Sequence, residues 1–331
     1  MTILGRPIVK HKRHLLNRPC SVPSVTGPTV EQLELLRELR DRGSLAAVAA
    51  ALHKTPSAVS QQLKAAQREL GVPLVVRSGR GLQLTDAGTA LARSAVDVAT
   101  ALAEAEASWQ RFQGAASGTV RLACFHSAGE LLVPGLLDRL RSRPGLVLET
   151  FDEDVAQDDF AGLTADYDVV VAHRSDDVAV PARDDLVVVP LLREPMDVAL
   201  PADHRLAGRP HVTPTDVIGE DWIAPPPEYP IDRVLSAIAA RAGAPVRIVR
   251  RTTHLPLIEL LVARGHGVAL LPRHITREHA PAGLVLVPLR DLRAGRLVEA
   301  LLRRDRHARR AVRLVVDELV AEAVAVAPPA P

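Results

Sequence analysis

The stretch Thr55-Pro56-Ser57-Ala58-Val59-Ser60-Gln61-Gln62-Leu63-Lys64-Ala65-Ala66-Gln67-Arg68-Glu69-Leu70-Gly71 decides how the chain begins to fold. Thr55 is a capping residue type, Pro56 suits the first helical position, and Gly71 supplies a stop. Val59, Leu63, Ala66 and Leu70 fall on one helical face. Ser57, Gln61, Lys64 and Arg68 are offset from them by two residues, about 200° around the axis, and project the other way. Such a helix packs one side on its neighbours and shows hydrogen-bonding groups and cations outward. In a major groove, Gln and Lys reach base edges and Ser reaches bases or phosphate. A solvated surface helix has the same polarity, so its surroundings matter.

Upstream, Leu33, Leu36 and Leu39 recur at helical spacing up to Gly43. Ser44 can cap a short helix whose stripe is Leu45, Val48, Ala49 and Leu52. Downstream, Val72 to Thr85 reads as a basic hairpin, with Arg77 and Arg80 around the turn Ser78-Gly79-Arg80-Gly81. Arginines there suit phosphates or an adjacent minor groove. Then Leu91, Ala95, Val98, Leu102, Ala105, Trp109 and Phe112 step alternately by four and three, a heptad seam ending at Gly114. The seam predicts a dimerising linker helix over 86–114; a helix packed within its own chain would show a wider apolar face.

Charge divides the chain in the same place. Residues 1–85 carry 13 Lys+Arg against 5 acidic residues, and residues 119–331 carry 26 against 30, although the net charge is only +2. A basic head on a mildly acidic body fits a nucleic-acid reader joined to something else. At 331 residues and 47% hydrophobic, two or three domains are expected. Cys20 and Cys124 form neither a disulfide framework nor a zinc pattern. No run of about 18 uncharged apolar residues exists, so no membrane partner is expected. The basic N-terminus lacks an apolar signal core, which predicts a cytoplasmic protein. Residues 1–28, with four prolines, five basic residues and no acids, read as a disordered basic tail or as sequence upstream of the true start.

These residues resemble the LysR-type transcriptional regulator family. The matching blocks are Gly43-Ser44-Leu45-Ala46, Ala49-Ala50-Ala51-Leu52, Ala58-Val59-Ser60-Gln61-Gln62-Leu63-Lys64, Leu70-Gly71-Val72-Pro73-Leu74 with Arg77, and Leu84-Thr85-Asp86-Ala87-Gly88. The chain departs from the family pattern at Thr55-Pro56-Ser57, at Ala66-Gln67 and at Val75. The resemblance implies an α+β winged helix-turn-helix over 29–85 and the long linker helix. An α/β two-lobed effector domain similar to periplasmic solute-binding proteins would follow. Ser44, Thr55, Ser57, Ser60, Gln61, Lys64, Arg68, Arg77 and Arg80 are the expected DNA-binding residues, with double-stranded DNA and a second copy of the chain as partners in a homodimer or homotetramer.

The body supports that architecture. Thr119–Phe125, Leu146–Phe151, Tyr167–Ala172 and Leu186–Val189 read as strands alternating with helical stretches, one of them starting near Gly129-Glu130. Pro201 to Ala207 and Gly265 to Pro272 resemble further landmarks of the family. Crossings near Pro190 and Pro288 would give a first lobe of 118–189 and 289–325 and a second of 190–288. Ligands of open α/β sheets sit beyond strand ends, beside helix N-termini. That rule and the family resemblance nominate His126, Ser127 and Ala128, then Asp152, His173 and Arg174. Pro226, Thr253 and His254 would face them from the second lobe. The arginine and histidines suit a small anion such as an organic acid, although each residue also fits a cap or a solvated loop.

No enzyme is expected. Cys124 and His126 lack an oriented third group, and the thiol reads as core. No metal set and no phosphate loop is present, so no cofactor is implied. The expected function is sequence-specific transcription regulation controlled by a small-molecule effector. The alternatives are a chromosome-architecture protein with little sequence preference, or a metabolite-binding module or enzyme that carries a winged domain.

Overall fold

The computed structural model describes residues 27–78, 81–113, 117–176, 178–179, 183–227 and 229–327. The expected tail, apart from Gly27 and Pro28, therefore lies outside the described residues, as do Gly79, Arg80 and Gly114.

Three helices, α1 (Val30–Arg42), α2 (Leu45–Ala51) and α3 (Pro56–Leu70), precede an antiparallel hairpin of β1 (Val75–Ser78) and β2 (Gly81–Leu84). Each helix starts on a hydroxyl cap: Thr29, Ser44 and Thr55 accept from the backbone N–H groups of Gln32, Ala47 and Ala58. α1 and α3 end on Gly43 and Gly71, whose φ of 68° and 71° is the left-handed conformation that glycine adopts without strain. Leu36, Val48, Val59, Leu63, Ala66 and Leu74 form the shared core. Gln67 fastens the wing to α3, its Oε1 accepting from the Leu74 and Val75 N–H groups at 2.9 and 3.3 Å.

The helix α4 (Asp86–Gln113) carries more than the single seam read from the sequence. Ala92, Ala95, Val96 and Ala107 are buried, where α4 meets α1 and, further along the chain, the short helix α11 (Arg304–Ala308). Leu91 packs on the head core. The later large seam residues are exposed, Leu102 at 57%, Trp109 at 62% and Phe112 at 90%. Two stripes on one helix explain the difference. The alanine stripe is too small to stand out in a hydrophobic pattern, yet it allows close approach within the chain.

In the body, β3 (Gly118–Cys124), α5 (His126–Leu140), β4 (Leu146–Asp152), α6 (Phe160–Leu163) and β5 (Val169–Ser175) are followed by the long strand β6 (Leu186–Pro201). Then come α7 (Pro214–Val217), β7 (Asp221–Ala224), α8 (Pro230–Ala242), β8 (Arg247–Arg251), α9 (Leu255–Ala263), β9 (Ala269–Pro272), α10 (Arg273–His279) and β10 (Leu284–Val287). β11 (Gly295–Arg303), α11 and α12 (Arg310–Val326) return the chain to the first lobe. One sheet runs β10-β6-β11-β5-β3-β4, with β9 also on β6. β3 is parallel to β4 and β5; β11 is antiparallel to β5 and β6. Two cores lie on either side of the cleft, one around Leu122, Val170, Leu132 and Val315, the other around Trp222, Ile238 and Leu206.

Two expectations need correction. β6 does not end at Val189, and no loop interrupts it at Pro190. The strand pairs with β11 as far as Pro195 and with β9 and β10 from Met196 onward, so the lobes are joined by continuous strand. Pro190 stands beside an irregularity, where Leu191 is skipped in the register against β11, a setting in which strands tolerate proline. The helix expected near Gly129 begins at His126. The Phe125 carbonyl takes the N–H groups of both Ala128 and Gly129, closing the first turn where β3 ends, without the side-chain cap that would have announced it.

The head is docked on the first lobe by ion pairs. Arg40 meets Asp185 at 2.7 Å, Arg42 meets Asp166 at 2.9 Å, and Arg37 meets Asp305 at 3.4 Å. From the lobe side, Arg303, only 1% exposed, reaches back to Asp41 at 3.4 Å while holding Asp305. α4 adds Asp97, paired with Arg304 at 2.7 Å, and the Gln110 carbonyl, which accepts from Arg310.

Candidate functional site

Ser57, Gln61, Lys64 and Arg68 are exposed along α3, opposite buried Val59, Leu63 and Ala66. The Thr55 hydroxyl caps α3 and lies 3.0 Å from that of Ser57, which brings both to the start of the helix. Ser44, Ser60, Lys64 and Arg77 line one hollow, walled by the start of α2, the middle of α3 and the wing. Gln61, Lys64 and Arg68 line the neighbouring hollow with Val72 and Pro73. The fold thus brings the described candidates onto one continuous face; Arg80 lies outside the described residues. The face mixes cations with hydrogen-bonding side chains, and Lys64 is shared by both hollows.

A second site lies between the lobes, a cavity of about 250 Å³. The first lobe supplies Phe125, His126 and Ser127 at the end of β3 and start of α5, His173 from β5, and Arg296 from β11. The second supplies Pro225, Tyr229, Ile231, Val234 and the run Thr252 to Pro256; Met196 comes from the crossing strand. The first N–H groups of α5 have no acceptor within the helix, as at any helix start. Here they belong to His126 and Ser127, beside the cavity.

Arg296 is the site's main cation and was missed from the sequence. Its Nη2 donates to the Ser127 Oγ at 2.8 Å and its guanidinium stacks 4.7 Å over the Phe125 ring. No acceptor meets its buried Nε among the described residues. Burial holds its pKa below the usual value, against the pull of Glu194 and Asp154. His173 lies edge-on to Phe125 and Phe160, with ring centroids 4.8 and 5.1 Å away. Burial, with Arg296 nearby, pushes its pKa down to about 3, so the ring is neutral at physiological pH. Its Nδ1 also lacks a partner among the described residues. The same burial raises the carboxyls of Glu194 and Asp154.

Other candidates separate. His126, Ser127, His173, Thr253 and His254 line the cavity. Asp152 does not: it pairs with the His126 Nδ1 at 2.6 Å and faces a hollow on the other side of α5. Arg174 is turned from the cleft by strand alternation. Its Nε and Nη2 both donate to the Glu299 carboxylate at 2.8 Å, a cross-strand fork, and its Nη1 donates to the Val178 carbonyl. Ala128 is buried in the first turn of α5, and Pro225 lines the cavity where Pro226 was expected. The missed Arg296 stands 169 residues from its partner Ser127, in what had been read as the loop before a strand at Leu297. Its one visible signal was a basic residue opening the strand that returns to the first lobe.

The Cys124 thiol is pushed up to about 12 by burial and by Asp152, so it carries no thiolate at neutral pH. Among the described residues, no helix is long and apolar enough to cross a membrane.

Residues 113–324 match the family model described as the LysR substrate binding domain, and residues 30–89 match that of the bacterial regulatory helix-turn-helix protein, lysR family. The HTH-type transcriptional regulator MetR of Haemophilus influenzae is 28% identical over 261 residues, which cover 77% of this chain and 81% of that protein. The Escherichia coli MetR is 28% identical over 265 residues, 78% of each chain. A solved full-length OxyR from Pseudomonas aeruginosa shares the fold, with a TM-score of 0.65 at 19% identity over 92% of this chain and 98% of that one.

Proposed function

The chain belongs to the LysR family of bacterial transcriptional regulators, and we propose that it reads duplex DNA as a homodimer or homotetramer under the control of a small anion seated between its two lobes. A helix-turn-helix head and an effector-binding domain make it a DNA-binding regulator that responds to a small molecule. The observation that carries the finer reading is the exposed row Ser57, Gln61, Lys64 and Arg68 beside the Ser44, Lys64 and Arg77 hollow.

In this reading Arg77, Lys64 and Arg80 supply phosphate contacts and most of the affinity, while Ser57 and Gln61 supply discrimination. Exposed Leu102, Trp109 and Phe112 support pairing through α4, because large apolar side chains grouped along one helix are costly to leave in water. Two heads held apart by a two-fold axis match a DNA site with the same symmetry. The domain limits that fit are 29–85 for the head and 86–114 for the linker helix, with lobes exchanging near Pro195 and again between Val287 and Gly295. Acting on chromosomal DNA places the protein in the cytoplasm.

Control follows from connectivity. β11 carries the cleft residue Arg296 as its second residue and ends with Arg303, which holds the head. An effector favouring one arrangement of lobe and head by about 1–3 kcal/mol shifts the population of DNA-competent dimers.

Two measurements test this. Arg77→Ala should weaken every duplex alike and reduce the salt slope by about one, read by fluorescence anisotropy across a salt series. An unchanged slope removes Arg77 from the interface. Trp109→Ala should raise the dimer dissociation constant by about thirtyfold or more in analytical ultracentrifugation. A dimer left untouched would place the interface elsewhere.

A further inference from the structure

The chemistry of the cleft narrows the effector further, on the reading that the cleft is the effector site. Its floor presents several donors. Among the described residues Arg296 Nε and His173 Nδ1 are buried without partners, the Ser127 hydroxyl accepts from Arg296 and keeps its own proton to donate, and the first N–H groups of α5 stand alongside. Buried donors of this kind are nearly always satisfied in a functioning state. One carboxylate, with two oxygens and about four lone-pair directions, can satisfy several of them at once.

The walls are of another character. Met196, Ile231, Val234, Leu255 and Ile258 give the second lobe's side an apolar lining. At about 250 Å³ the cavity falls below the usual range for drug-sized ligands and suits a small metabolite. Charge sets an upper limit. Asp154 lines the cavity, and Glu194 is buried with its Oε1 accepting the His274 N–H at 2.8 Å. Both act on Arg296, and Glu130 stands at the exposed margin. His173, being neutral, offers one ring N–H without adding positive charge. A second negative charge on the ligand would meet no second arginine or lysine among the described lining residues and three nearby carboxyl groups.

We propose that the cleft selects a monoanionic carboxylic acid with a compact apolar body, its carboxylate on Arg296, Ser127 and the start of α5 and its body against the second lobe. Dicarboxylates and phosphorylated compounds are rejected by Asp154, Glu194 and Glu130. Neutral analogues fail because they leave the guanidinium unanswered.

The test is calorimetric titration of the full-length protein with phenylacetate and 4-methylpentanoate, compared with succinate, inorganic phosphate and the neutral 4-methylpentanamide. The monocarboxylates should bind, the amide should bind at least about tenfold more weakly, and succinate and phosphate should bind more weakly than either acid. Arg296→Met should weaken the monocarboxylates by about ten- to a hundredfold. The amide comparison needs only wild-type protein and stands even if that variant misfolds. Succinate or phosphate binding more tightly than the acids, yet still lost in Arg296→Met, overturns the ligand class and leaves the cleft reading intact. Monocarboxylate binding that Arg296→Met does not change removes the site from the cleft. No heat from any of a panel of short, branched and aromatic monocarboxylates at millimolar concentration overturns the proposal as well.

Discussion

The first lobe meets two neighbours, the head and the second lobe, and it handles charge in opposite ways at the two contacts. Toward the head, guanidinium groups meet carboxylates: Arg40 with Asp185, Arg42 with Asp166, Arg37 with Asp305, Arg303 with Asp41. Toward the second lobe, Arg296 donates to a serine hydroxyl and has a buried nitrogen with no acceptor, and His173 keeps a buried nitrogen unused. Both contacts bury arginine, and both involve β11. The difference teaches what buried charge is for in each place. A paired cation makes a joint whose cost of burial is offset within the protein; an unpaired donor is stabilised only when something else arrives.

The largest effect that separates the two is on stability. Arg303→Met takes a buried cation from Asp41 and Asp305, which are left to Arg40 and Arg37, and should cost about 1.5–3 kcal/mol, read as a fall in the urea midpoint. Arg296→Met removes one hydrogen bond and a cation whose burial Glu194 and Asp154 only partly offset, so it should change stability by about 1 kcal/mol or less. Equal losses in the two variants would erase the distinction between joint and site.

A smaller effect concerns acid. His173 is depressed in the folded protein to about 3, against an unfolded value near 6.5. The unfolded chain therefore takes up a proton between these limits while the folded chain does not. The neutral ring's contribution is complete above pH 6.5 and is lost as pH falls through the window toward 3. The melting temperature of the wild type should fall more steeply below pH 6.5 than that of His173→Gln. Parallel curves would mean that the imidazole is solvated and not part of the cleft floor.

The head was the more legible of the two regions because its information is local. Thr55, Pro56 and Gly71 bracket α3 within one stretch, and the two-residue offset of Ser57, Gln61, Lys64 and Arg68 from the apolar stripe needs only helical geometry. The cleft is assembled from the start of α5, from β5, β11 and α8, and from the loops after β7 and β8, and no periodicity connects Ser127 to Arg296. Strand-end logic found His126, Ser127 and His173. It also nominated Arg174, since alternation along β5 assigns neighbours to opposite faces and only the register against β11 decides which faces the cleft. The ion-paired joint had no signature at all. Arg40 and Arg42 are the basic last turn of α1, and tertiary structure alone brings them, with Arg37, to Asp185, Asp166 and Asp305.

The most direct measurement is in vitro selection of bound duplexes from a random pool, with wild-type protein and Gln61→Ala. A reader that offers α3 to the major groove in two-fold pairs predicts enrichment of an inverted repeat, with half-sites about one helical turn or a multiple apart. In Gln61→Ala one base position in each half should relax by about 1–3 kcal/mol of discrimination while the remaining positions persist. Enrichment of no motif, or of one that Gln61→Ala leaves identical at every position, would contradict the account.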